Sequence, residues 1–321
     1  MITVADVEAA RQRITPHIRR TPSMPVTHAR TPLGEGTSIS LKLELLQVAG
    51  SFKARGAMNK LLSLSQDELA RGVVTASGGN HGLAIARSAH VLGKSATIFL
   101  PSNVVPDKVN KLKEWKATVN IVDGVWDDAN RQALQYSEDT GANYVHPFGD
   151  PVVVAGQGTL GLEILEDLPD VDVVLVAIGG GGLISGLATA IKEIRPETRI
   201  IGIEPEGSPT LHACLEANAL VSLERLDTRV ATMSCRRTEL PIFETVQRYV
   251  EKIVLVSDEE MERAARWLWF EYGAAADLSG AASIAALLSR QYVPPPGARV
   301  CALVCGAGTD GSMPPQPVPP L

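Results

Sequence analysis

Ser51-Phe52-Lys53-Ala54-Arg55-Gly56-Ala57 places one lysine among small residues just before a helical pattern. A lysine amine is a strong nucleophile only once it has lost its proton, and a confined, partly desolvated setting lowers its pKa far enough for that. Taken alone, Lys53 reads first as a surface lysine in a loop-to-helix turn. A second segment, Gly179-Gly180-Gly181-Gly182, follows a β-branched run ending at Ile178 and precedes a helical pattern from Leu183 to Ile194. Glycines let the backbone approach a ligand closely, and a helix start offers free N–H groups and partial positive charge, a setting for phosphate. One glycine satisfies an ordinary strand-to-helix turn, and four exceed that need. No lysine follows as in G-x-x-x-x-G-K-[ST]. The sixth residue is Ile184 counted from Gly179 and Ser185 counted from Gly180, so G-x-G-x-x-G fails too. Nucleoside triphosphates and dinucleotides are disfavoured, which leaves a small phosphorylated cofactor.

Ser77-Gly78-Gly79-Asn80-His81-Gly82 is the third segment with chemistry in it. It follows Val73-Val74-Thr75-Ala76 and opens a helical pattern from Leu83 to Leu92. Its backbone donors, hydroxyl and amide suit a substrate carboxylate. The plainer reading is an N-cap by Ser77 or Asn80, with His81 structural.

These segments must be held by regular elements. Short β-branched runs at 73–76, 96–100, 118–122, 144–146, 173–178, 199–203 and 300–304 alternate with helical patterns such as 107–116, 127–139 and 259–272. That alternation predicts βαβ units and mainly parallel sheets. One set of units runs through 73–146, and a second begins near 171. Two α/β domains follow: a small one of residues 73–146, and a large one of residues 1–72 and 147–321, with the first 50 or so residues packing on the later set. Ligands in such sheets sit beyond the carboxyl ends of the strands, which points to the cleft between the domains. Pro294-Pro295-Pro296-Gly297 reads as a rigid loop, and the proline-rich tail 313–321 as disordered.

The chain has 321 residues, 45% of them apolar and only 4% aromatic, with a formal net charge of −6. No basic stripe stands out, so nucleic acid is not an expected partner. No apolar run reaches the roughly 18 residues of a membrane span, and no signal-peptide pattern opens the chain. Cys214, Cys235, Cys301 and Cys305 form no C-x-x-C pair. A soluble protein of the reducing cytoplasm is expected.

A lysine in S-F-K-x-R-G-A, an S-x-G-N-H loop and a tetraglycine loop after a strand occur here in order, from about residue 5 to residue 311. In this the chain resembles the fold type II pyridoxal-phosphate enzymes, and among them the threonine and serine dehydratases and their serine racemase relatives. The resemblance implies two parallel-sheet αβα domains of the tryptophan synthase β type. Lys53 would hold pyridoxal 5'-phosphate as a Schiff base and shuttle the α-proton, with Phe52 packing nearby. Asn80 would hydrogen-bond the ring's 3-oxygen, and Ser77, Gly78, Gly79 and His81 would line the carboxylate pocket. Gly179, Gly180, Gly181 and Gly182 would cradle the phosphate. Asp277 falls where the family usually carries glutamate near the ring, and Cys305 where a serine or threonine faces the pyridine nitrogen. The implied reaction is β-elimination from an amino acid such as L-threonine or L-serine, giving a 2-oxo acid and ammonia. A homodimer is implied as well.

The chain departs from the family pattern in places. Serine racemases carry a second serine where this chain has Gly78, which cannot transfer a proton, so elimination is expected over racemisation. Amino-acid racemisation, β-replacement and a regulator that has lost catalysis are the alternative readings. Glu204 matches the first acid of a monovalent or divalent cation site, but Thr210 stands at the second acid's position with Ser208 between. The other reading of Glu204 is a solvated cap of the turn before Pro205. Dehydratases usually carry a T-x-A-D-G-like stretch where this chain has Arg229 to Leu240. Arg236 and Arg237 in that stretch read first as a solvated charged loop, and otherwise as recognition of an acidic or unusual side chain. The chain ends soon after Cys305, so no isoleucine-sensing regulatory domain is expected.

Overall fold

The computed structural model describes residues 1–34, 36–102, 106–124 and 126–312, and the tail expected to be disordered lies outside them. The seven strands expected from the sequence all form. β3 (Val73–Ala76), β4 (Ala96–Pro101), β5 (Thr118–Val122) and β6 (Asn143–Tyr144) make a parallel four-stranded sheet in the order β5-β4-β3-β6. β7 (Val173–Ala177), β8 (Arg199–Pro205) and β10 (Arg299–Leu303) join a six-stranded sheet in the order β1-β2-β10-β7-β8-β9. Three of its strands, β1 (Ser23–Pro25), β2 (Ser38–Lys42) and β9 (Lys252–Val256), are additions to the expected set. β1 pairs antiparallel with β2, and the other pairings are parallel. Every residue of β3 and of β7 is buried, as expected for parallel strands with helices on both faces.

The helices are α1 (Val4–Ile14), α2 (Lys53–Ser63), α3 (Gln66–Ala70), α4 (Asn80–Val91), α5 (Pro106–Glu114), α6 (Trp126–Thr140), α7 (Pro151–Asp167), α8 (Gly182–Ile194), α9 (Thr210–Ala217), α10 (Leu240–Tyr249), α11 (Asp258–Tyr272) and α12 (Leu278–Leu288). Among them no helix is long and apolar enough to cross a membrane. α7 starts at Asp150, whose carboxylate accepts from Val152 and Val153 N–H, with Pro151 at its first position. It is buried continuously from Val153 to Ile164, so it runs through the interior with α2 against one side and α8 against another. Small residues permit this. A Cβ on Gly156 would lie 2.6 Å from the Gly56 Cα, and one on Gly158 would lie 2.8 Å from the Gly186 carbonyl oxygen.

A buried ionic network fixes α2 further. The Arg55 guanidinium donates to Glu44 at 2.6 and 2.9 Å and to Glu163 at 2.9 Å. Lys42 at the end of β2 donates to Glu163 and Asp167, each at 2.7 Å. Arg55 is 1% exposed, and Lys42 and Glu44 are 0% exposed. Burial alone would lower the Arg55 pKa, but Glu44 and Glu163 outweigh it and keep the guanidinium charged. Burial would raise the Glu163 carboxyl, and Arg55 and Lys42 hold it low instead. Removing one partner of such a set leaves a charge uncompensated in the interior, at a cost of about 3–5 kcal/mol. Arg55→Met is therefore expected to lower unfolding free energy by about that amount in urea titrations. A loss within the scatter of surface substitutions would show the network to be dispensable.

Candidate active site

Lys53 is the first residue of α2, and no side chain caps that helix. Two contacts set its place. Ser51 forms an antiparallel bridge with Gly306, and the Phe52 N–H donates to the Cys305 carbonyl at 3.1 Å, so α2 starts against the end of β10. The Lys53 amine donates to the Pro147 carbonyl at 2.6 Å and lies 5.1 Å from the centroid of the Phe52 ring. Burial lowers its pKa to about 8, opposed only weakly by Cys235 and Cys305. Among the described residues no carboxylate pairs with it. This is the desolvated lysine that the sequence left undecided.

One hydrogen bond joins the start of α4 to the start of α12. Asn80, at the start of α4, donates its side-chain amide to Asp277 Oδ2 at 2.9 Å. Asp277 is the N-cap of α12, accepting from Gly280 N–H at 2.6 Å and from the Ser279 hydroxyl at 2.7 Å. Burial raises the Asp277 carboxyl, while Ser279, Asn80 and Gly280 pull it back. Cys305 donates its thiol to the Ser279 carbonyl at 3.5 Å, and burial pushes that thiol far up, so it stays protonated. Lys53, Phe52, Asn80, Asp277 and Cys305, widely separated in sequence, thus converge around residues 305–306.

The start of α4 is open. Its N-cap is Gly79, which has no side chain, and neither Ser77 nor Asn80 acts as the cap. Ser77 Oγ instead accepts from Gly79 N–H at 3.3 Å. The first-turn N–H groups are left for a ligand. The His81 ring turns away from this use. Its Nε2 lies 3.1 Å from the Val145 carbonyl, which only accepts, so Nε2 carries the proton and Nδ1 is a buried acceptor without a partner among the described residues. Burial, with Lys53 nearby, lowers its pKa to about 3. His81 is neutral and offers the pocket its backbone N–H rather than a positive side chain.

α8 also starts without a side-chain cap, from Gly181 at φ +88°. Here the reason for four glycines differs from the one read in the sequence. A Cβ on Gly180 would lie 2.3 Å from the Phe148 ring, and one on Gly182 would lie 2.7 Å from the Phe148 carbonyl oxygen. Gly179 is approached by the Thr232 carbonyl and Gly181 by Ile242. Each glycine is required by a protein neighbour, and the loop so formed still leaves the helix start free for an anion. Thr238 Oγ1 donates to the Gly180 carbonyl at 3.0 Å and pins the loop. The uncapped helix start, the loop that admits no side chains and the desolvated amine fit pyridoxal 5'-phosphate.

The segment from Arg229 to Leu240 lies against the site, with Arg236 and Arg237, expected as a solvated charged loop, both exposed. The Thr232 methyl sits 3.4 Å from where a Gly79 Cβ would be. Arg236 does face solvent and donates to the Leu223 and Glu224 carbonyls at 3.2 and 2.5 Å. Glu204 is buried rather than solvated. Its two oxygens accept from Leu211 and His212 N–H at the start of α9, each at 2.9 Å. Ser208 donates to the Met233 and Cys235 carbonyls, and Thr210 to that of Cys235, so both hold the 229–240 segment. Among the described residues no three His, Cys, Asp or Glu side chains converge as a metal site. Pro147, Phe148 and Thr232 escaped the sequence reading. Pro147 acts through a carbonyl, which has no side-chain signature, and only the scarcity of aromatics could have singled out Phe148.

Two titrations follow. In competitive labelling of amines read by mass spectrometry, cofactor-free Lys53 should reach half-maximal reactivity near pH 8, while surface lysines continue rising toward 10.5. A Lys53 profile matching the surface would contradict its desolvation. Burial raises Glu204 from 4.5 to about 8. The folded protein thus keeps a proton that the unfolded chain has released, and stability falls as pH rises between those values. Urea midpoints across that range should fall in the native protein and flatten in Glu204→Gln; parallel profiles would count against it.

The chain matches the family model described as pyridoxal-phosphate dependent enzyme over residues 14–306. It is 40% identical over 315 residues to the L-threonine ammonia-lyase of Thermotoga maritima, covering 98% of this chain and 77% of that one. The maize serine racemase structure superposes with a TM-score of 0.90 at 30% identity, covering 95% and 93% of the two chains. The processed form of threonine deaminase isoform 2 from Solanum lycopersicum gives 0.88 at 31% identity, covering 96% and 84%. With its lysine, its open helix starts and its two sheets in that arrangement, the chain belongs to the pyridoxal-phosphate dependent enzymes of fold type II.

Proposed function

We propose that the protein eliminates water from a 3-hydroxy amino acid such as L-threonine or L-serine, releasing a 2-oxo acid and ammonia. The observation that carries this reading is the desolvated Lys53 amine, facing Asn80, Asp277 and Cys305 between the open starts of α4 and α8. In this reading Gly179 to Gly182 and the α8 start hold the cofactor phosphate. Phe52, Asn80, Asp277 and Cys305 surround its ring. Ser77, Gly78, Gly79 and the His81 backbone take the substrate carboxylate. The bound cofactor supplies the electron sink for the charge left at Cα.

Lys53 takes the α-proton. With a pKa of about 8, about one free amine in ten is present at pH 7, far more than for an ordinary lysine. The Cys305 thiol, kept neutral by burial, brings no charge to the ring. Gly78 has no side chain to act as a base on the opposite face, which favours elimination over racemisation. The likeness to maize serine racemase supports the second reading, amino-acid racemisation. We further propose two domains, residues 1–72 with 147–321 and residues 73–146, each built on one of the two sheets. A homodimer in the cytoplasm fits the adjacent solvent-facing Trp269 and Phe270 and the four unpaired cysteines.

Purified protein loaded with pyridoxal phosphate should convert L-threonine or L-serine to 2-oxo acid and ammonia, and Lys53→Ala should slow this at least about a hundredfold. Chiral analysis of remaining substrate decides between the readings. D-amino acid appearing faster than 2-oxo acid would favour the racemase.

A further inference from the structure

Arg237 is exposed, and among the described residues its guanidinium forms no ion pair and donates no hydrogen bond. Its neighbours differ in this respect. Arg236 is taken up by two carbonyls, and Arg229 by Asp258 and Glu262. Yet Arg237 is firmly anchored beside the site. Its carbonyl accepts the Cys235 thiol at 2.9 Å, and the next residue, Thr238, is bonded to Gly180 of the tetraglycine loop. Cys235 is close enough to Lys53 for each to affect the other's titration.

Among the described residues no carboxylate pairs with this cation, although Glu239, two residues on, bears on the same His146 ring. His146 feels the Arg237 charge and is held neutral by burial, and its Nδ1 accepts from Gly149 N–H at 2.7 Å. Glu239 bends toward Gly149, its Cγ 2.8 Å from where a Cβ on that glycine would be. Asp150 pairs with Lys60 at 2.7 Å. Lys53 is itself a cation or a free amine. The substrate's α-carboxylate is already provided for at the α4 start, so it has no need of Arg237. A guanidinium is suited to bidentate binding of a second carboxylate.

Resting on the elimination reading above, we infer that Arg237 recognises an anionic substituent on the substrate's Cβ. The preferred substrate class is then the 3-hydroxy amino acid with a second carboxylate, of which 3-hydroxyaspartate is the shortest. The reaction balances as for the neutral substrates. The Cα–H and Cβ–OH bonds break and water leaves. The enamine tautomerises to an imine, which takes up water and releases ammonia, so 3-hydroxyaspartate yields 2-oxobutanedioate and ammonia with no oxidant or reductant.

The test compares kcat/KM for 3-hydroxyaspartate, threonine, serine and 3-phenylserine in the holoenzyme, Arg237→Gln and Arg237→Lys, with pyridoxal-phosphate affinity measured for each. The native enzyme should favour 3-hydroxyaspartate at least about tenfold. Arg237→Gln should lose about a hundredfold on it, chiefly in KM, and far less on threonine, with Arg237→Lys between. Turnover of threonine or 3-phenylserine without 3-hydroxyaspartate would overturn this inference alone, as would equal losses on all substrates. Weakened cofactor binding in Arg237→Gln would put the guanidinium on the phosphate and overturn it too. Turnover of none of the four would overturn the elimination reading and this inference with it.

Discussion

The buried pairing of Arg55 with Glu44 and Glu163 is the constraint on which the site depends. It ties the first turn of α2 to the turn that follows β2 and to α7, and α2 begins with Lys53. Two cations thus sit two residues apart on one helix in opposite circumstances. Arg55 is fully compensated by carboxylates, so its charge is stable and its position rigid. Lys53 has no carboxylate partner among the described residues, so burial works against its charge. The first supplies the rigidity and the second the reactivity, and neither could be exchanged for the other.

The loops that complete the site obey a similar division. Five of the other helices start from side-chain caps: α1, α3 and α11 from capping boxes, α7 and α12 from aspartates. α4 and α8 instead start from bare glycines, one facing each sheet. Their first-turn N–H groups are the unsatisfied donors of the fold at the cleft, and an anion is what such donors accept. The 229–240 segment lies over both starts, touching Gly79 and Gly179 through Thr232.

Much of this was legible in the sequence, and the rest was not for identifiable reasons. Strands such as 73–76 and 118–122 showed because β-branched runs bounded by polar residues admit few other conformations. Lys53, Asn80 and the tetraglycine loop showed because their residue types are unusual in their local setting. α7 did not show, because a helix buried on every side, its polar Gln157, Thr159 and Glu163 included, has little periodicity to detect. Glu204 looked like a surface acid or a cation ligand. Its burial is decided by α9, whose backbone donors leave no trace in residue identity. The glycines at 179–182 were noticed for the right loop but for an incomplete reason, since Phe148 reaches them from a distant part of the chain.

The contact between Gly56 and Gly156 has a metrical consequence. A Cβ on Gly156 would meet the Gly56 Cα at 2.6 Å, and one on Gly56 would meet the Val153 carbonyl oxygen at 2.7 Å, so the two helix backbones touch, with the Gln157 side chain also set against Gly56. Backbones cannot repack as side chains do, and so the spacing of α2 and α7 is a fixed gauge. Lys53 stands one turn from that point, and its reach to Pro147 is measured from the same gauge. A single methyl group inserted there would be read out as a displacement of the amine, which makes the smallest residue of the lysine motif the one that sets its tolerance.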